Sequence, residues 1–136
     1  MTSGNFSSDD LAFKRLRDLR TVLLKLHKAL MEAEKESYEQ VNGPIRSKGE
    51  YFQLVIGHEW FNWLRPISQF IVQMDEVLMA REPQPVEKAN ELLVAARTLL
   101  QTSETGTVLK ERYQVAAQHD PSIAVMHAKV SELLEE

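Results

Sequence analysis

The run His58-Glu59-Trp60-Phe61-Asn62-Trp63-Leu64-Arg65-Pro66 gathers the densest set of chemically capable side chains in the chain. It holds both tryptophans, a histidine–glutamate neighbour pair, an arginine and a proline. A histidine beside a carboxylate is the raw material of an acid–base couple, and a nearby arginine can hold an anion. Adjacent residues on a helix do not face each other, so His58 and Glu59 can act together only from a turn or through a third group. Glu59 is equally suited to the positive end of a helix dipole. Trp60 and Trp63 are three apart and fall on nearby helix faces. Such a pair floors a pocket, anchors a partner or packs in the core. The candidate ligand- or partner-binding residues are therefore His58, Glu59, Trp60, Trp63 and Arg65, and no catalytic residue is assigned.

Metal chemistry makes sharper demands. A di-iron bundle needs glutamate-x-x-histidine on two helices, and a helical zinc site uses histidines four apart. Neither spacing occurs in this sequence. His27, His58, His119 and His127 lie in separate segments, so a metal site requires three of them to converge in space. Without that, His27 flanks a core, His119 sits near a helix end, and His127 is a packed core histidine. No metal and no cofactor is expected. The chain has no cysteine, which removes disulfides, thiolate ligands and thiol nucleophiles and fits a reducing compartment. Glycine-rich phosphate loops and a glycine-flanked serine are missing as well. Asp75 needs a cationic partner if it points inward, but the pattern places it at the edge of the core.

The elements that must position these residues are helical. Leu16, Leu19, Leu23, Leu26, Leu30 and Ala33 alternate spacings of three and four, which predicts a core-facing stripe on a helix from Ser7 or Ser8 to about Gln40. Leu11 and Val22 widen the stripe. Asn42-Gly43-Pro44 ends the helix. Ser47 with Glu50 forms a capping box and opens a short helix to about Ile56, with Phe52, Val55 and Ile56 turned inward. The next helix spans about Glu59–Arg81 and reads as the central one. Its stripe is Trp60, Leu64, Ile67, Ile71, Met74 and Leu78, and Trp63, Phe70 and Val77 repeat every seven on a second side. Pro66 falls inside this stretch. It either kinks one helix or starts a second, and the unbroken register favours a kink. Further helices follow Pro85, Thr107 and Asp120-Pro121. Their inner faces are Val86, Ala89, Leu93, Ala96 and Leu100 in the first, and Ile123, His127, Val130 and Leu134 in the last.

These elements make an all-α chain, an antiparallel helical bundle of four main helices plus short ones. Residues 1–7 read as a flexible tail and 8–136 as one domain. The length of 136 residues is enough to bury a real core. No apolar run approaches the ~20 residues that span a bilayer, and no secretory leader is visible, so a cytoplasmic location is expected. The net charge of −4 argues against nucleic-acid binding. Lys14, Arg15, Arg17, Arg20, Lys25 and Lys28 do make the first half of the long helix basic, but they scatter over its faces.

Gly43-Pro44-Ile45, the run from His58 to Ser68, Met74-Asp75-Glu76 and Leu23–Leu30 together resemble a group of short bacterial helical proteins of unknown function. The resemblance covers most of the chain and implies a bacterial, soluble, helical protein, with no activity attached. The layout also resembles metal-dependent bundles of the DinB type, but their paired histidines are missing here and no metal site is carried over. With no complete catalytic set, the sequence favours a non-enzymatic module. It would act through self-association or a protein partner, with Trp63, Phe70 and Val77 as surplus apolar positions. The alternative is a small-molecule or metal-binding site near His58, Trp63 and Arg65.

Overall fold

The computed structural model describes residues 8–101 and 107–135. The expected tail at 1–7 and the polar loop at 102–106 lie outside the described residues. Every regular element that is described is helical. They are α1 (Ser8–Asn42), α2 (Lys48–Gly57), a 3-10 segment (Glu59–Leu64), α3 (Arg65–Leu78), α4 (Val86–Gln101), α5 (Thr107–His119) and α6 (Pro121–Leu134). The all-α class expected from the periodicity is what the chain adopts. No described helix is long and apolar enough to cross a membrane.

The long helix α1 organises the rest. Leu16, Leu19, Leu23, Leu26 and Leu30 are 0% exposed and Ala33 is 6% exposed, so the predicted stripe is the seam of the core. Burying a leucine contributes roughly 1.5–3 kcal/mol, and five of them match the scale of a whole domain's net stability. Around this seam pack α6, α3, α4, α5 and the 3-10 segment. The central helix is therefore α1, and not the stretch after Glu59. Its 35 residues extend about 50 Å, enough for several shorter helices to share it. Leu11 lies outside the seam, at 53% exposed.

Local chemistry sets the boundaries. Gly43 has φ +89, a left-handed conformation that other residues adopt at a cost, and its N–H closes α1 on the Glu39 carbonyl at 2.9 Å. Ser47 Oγ accepts from the Glu50 N–H at 3.0 Å, and the Glu50 carboxylate reaches back to the Arg46 N–H at 3.3 Å. Asp120 caps α6 by accepting from the Ser122 N–H at 3.0 Å, with Pro121 in the first turn. The seam is completed by Ala89, Leu93 and Ala96 from α4 and by Ile123, Val130 and Leu134 from α6.

Pro66 does not kink a helix. It sits in the first turn of α3, where its missing N–H costs nothing, and the residues before it wind as a 3-10 segment. The apolar register carried across the proline because two 3-10 turns differ from α-helix by only about one residue. That single residue is visible in the packing. Phe61 is 1% exposed and faces inward, while its predecessor Trp60 is only partly buried. The row of Trp63, Phe70 and Val77 is not surplus. Phe70 is buried, and Trp63 and Val77 pack against the same core. The short helix α2 departs furthest from expectation: it has no buried residue, and Phe52 and Ile56 point outward.

Candidate functional site

His58 takes an extended conformation (φ −91, ψ 139) between α2 and the 3-10 segment. Its Nδ1 accepts from the Trp60 N–H at 3.0 Å, so the ring caps the segment that follows. The other face of this corner belongs to Tyr38 of α1. Edge-on contacts join Tyr38 to His58 (ring centroids 5.5 Å apart) and to Trp60 (5.6 Å), and Phe61 lies 5.9 Å away. Tyr51 of α2 meets Phe61 at 6.0 Å, donates its hydroxyl to the Met31 carbonyl at 3.3 Å and lies beneath the Lys35 ammonium. The cluster staples α2 and the 3-10 segment onto α1. Such pairs contribute about 0.5–1.5 kcal/mol each beyond simple burial.

The five sequence candidates do not converge. His58 and Trp60 meet on Tyr38. Glu59 is exposed in the first turn of the 3-10 segment, where its charge suits the dipole, and it makes no hydrogen bond to His58. Trp63 lies against the core with its Nε1 sealed from solvent and, among the described residues, without a hydrogen-bond partner. Arg65 turns the other way and donates Nη2 to the Ile56 carbonyl at 2.6 Å, tying the end of α2 to the start of α3. The histidine–carboxylate couple is therefore not formed.

Arg65 instead shares a cavity of about 220 Å³ with His27 and Ser68. Met31, Val55, Ile56, Phe61 and Leu64 supply apolar walls. Ser68 donates its hydroxyl to the Arg65 carbonyl at 3.0 Å. Among the described residues no carboxylate pairs with Arg65, and burial pushes the His27 imidazole below the ordinary value of 6.5. The cavity sits where α1, α2, the 3-10 segment and α3 meet, each contributing two residues to its lining.

The remaining histidines are dispersed. His119 pairs with Glu36 at 2.9 Å, close to the end of α5, and His127 is half-buried on α6, where burial lowers its pKa. Among the described residues no three histidines, aspartates or glutamates are grouped as metal ligands. Asp75 is paired with Arg20 at the edge of the core, as its place in the pattern predicts. His27, Ser68, Tyr38 and Tyr51 escaped the sequence reading as site residues. A signal existed for Tyr38: Leu26, Leu30, Glu34 and Tyr38 are successive fours, and that row includes the buried Glu34, whose carboxylate is engaged and not orphaned.

Compared with known proteins, the chain matches no family model, and no curated protein or solved structure is significantly similar to it.

Proposed function

We propose that the protein is a non-enzymatic interaction module whose docking element is α2, and that a second copy of the chain docks there. The observation that carries this reading is the exposed pair Phe52 and Ile56, 61% and 50% exposed, on a helix with no buried residue. Residues four apart share a helix face. The Ser47 cap, the Tyr51 hydroxyl and the Arg65 guanidinium hold α2 in place, so the strip is preorganised and docking costs less entropy.

Charge favours a second copy as the occupant. Lys48 opens α2, Glu59 stands just past its end, and both are exposed. Two copies of α2 packed side by side in opposite directions bring Phe52 of one to Ile56 of the other, and Lys48 of one toward Glu59 of the other. Helix dipoles then oppose favourably, and the contact is self-complementary, as a two-fold dimer requires.

The magnitude limits the dimer. Fully burying a side chain of this size contributes roughly 1.5–3 kcal/mol. Four residues, each about half covered already, give about 4 kcal/mol, so the dimer needs the ion pairs and the fixed geometry of α2 to offset the cost of association. The dimer is therefore weak and reversible, and it forms only at high concentration. Sedimentation equilibrium up to about 1 mM tests this. The expected result is a rising average mass for the native chain and a monomer for the Phe52→Ser, Ile56→Ser double variant. A native chain that stays monomeric throughout overturns the reading.

A further inference from the structure

The cavity beside Arg65 borders the α2 surface strip, sharing Ile56 with it, but has a chemistry of its own. Its only full charge is the Arg65 guanidinium, which has no carboxylate partner among the described residues. One of its N–H groups is used on the Ile56 carbonyl, and the planar fork has others to offer. His27 lines the same cavity, and no described residue hydrogen-bonds its ring. A neutral imidazole offers one donor and one acceptor. The apolar lining residues, Met31, Val55, Ile56, Phe61 and Leu64, offer nothing to a polar ligand.

Size and charge narrow the occupant. A dry cavity of roughly 150 Å³ holds benzene, so 220 Å³ takes a six-membered ring with a carboxylate attached. Nucleotides and drug-sized molecules need sites of about 300–1,000 Å³. A single guanidinium balances a monoanion, but leaves a phosphate or sulfate dianion with uncompensated charge against apolar walls. A cation is repelled. Carboxylate recognition by arginine is bidentate and charge-assisted, the strongest pairing these residues allow.

We propose that this cavity is a binding site for a small organic monocarboxylate with a compact apolar body, gripped by Arg65 with His27 as the second polar contact. The apolar body occupies the chamber walled by Met31, Val55 and Phe61. Because Arg65 also holds the end of α2, the ligand and α2 share one side chain.

Benzoate is the probe, followed by amide chemical shifts of the full-length chain, with benzyl alcohol as its uncharged counterpart. The expected result is saturable binding of benzoate at about 1 mM or tighter, with shifts at His27, Val55 and Phe61. Benzyl alcohol binds at least about tenfold more weakly, since it forfeits the charge-assisted pair. Arg65→Gln lowers benzoate affinity by a similar factor. Val55→Phe fills the chamber while keeping Arg65, and abolishes binding. Should Arg65→Gln lose its helicity, the alcohol comparison and Val55→Phe still decide. No saturable shift with benzoate, equal binding of the alcohol, or undiminished binding in a folded Val55→Phe variant overturns the proposal.

Discussion

Single side chains account for the chemistry and for much of the marginal stability. Trp63 keeps a buried indole N–H with no hydrogen-bond partner among the described residues, which costs on the order of 1–3 kcal/mol against a satisfied group. Trp63→Phe removes that donor and retains most of the apolar body. Its stability should stay within about 1 kcal/mol of the native chain, while Trp63→Ala, which leaves a void against the core, loses about 2–4 kcal/mol by chemical denaturation. His27 and His127 set the response to pH. Burial lowers both imidazoles from 6.5, so the unfolded chain takes up protons where the folded one does not. Their contribution is complete above pH 6.5 and is lost as pH falls from there through the lowered folded values. The thermal midpoint should drop across that window, and a His27→Gln, His127→Gln double variant should drop less. An unchanged slope in the double variant would show that these two groups do not carry the effect.

At the scale of elements, α1 was legible except at Leu11, which is exposed, and the region around Pro66 was not. The α1 seam could be read because a three–four alternation over many turns has one physical solution, an amphipathic helix with its leucines inward. The same logic misled at Glu59–Leu64. A 3-10 segment keeps nearly the same apolar spacing for two turns, so periodicity alone cannot separate it from a helix. The mutational consequence is specific. In the first turn of α3, Pro66 displaces no helical hydrogen bond, so Pro66→Ala should alter stability by less than about 1 kcal/mol. A proline inside one continuous helix would instead cost about 3 kcal/mol, and its removal would stabilise by that much. Helix α2 was misread for another reason. An apolar triplet on a ten-residue helix reads as core, yet α2 touches the rest of the fold through Tyr51 and the residues near its end, and leaves Phe52 and half of Ile56 exposed. Of the candidate site, the sequence found Arg65 but not His27. A lone histidine flanking a leucine stripe acquires meaning only once α2 arches over it.

At the scale of the whole molecule, one long helix carries a shared core, and α2 with the 3-10 segment is stapled to one end of it by aromatic contacts. That division separates what holds the fold from what faces outward. Substituting Leu23, at the centre of the seam, with alanine should cost about 2–5 kcal/mol. The Phe52→Ser, Ile56→Ser double variant should change stability by no more than about 0.5 kcal/mol per site, because these side chains give little to the core. The central claim is that α2 is the docking surface for a second copy. The most direct test is a dilution series followed by amide chemical shifts, because it reports both whether the chain associates and through which face. The account predicts concentration-dependent shifts confined to Lys48–Glu59. Shifts centred instead on the exposed faces of α4 or α6, or none at all up to about 1 mM, would contradict it.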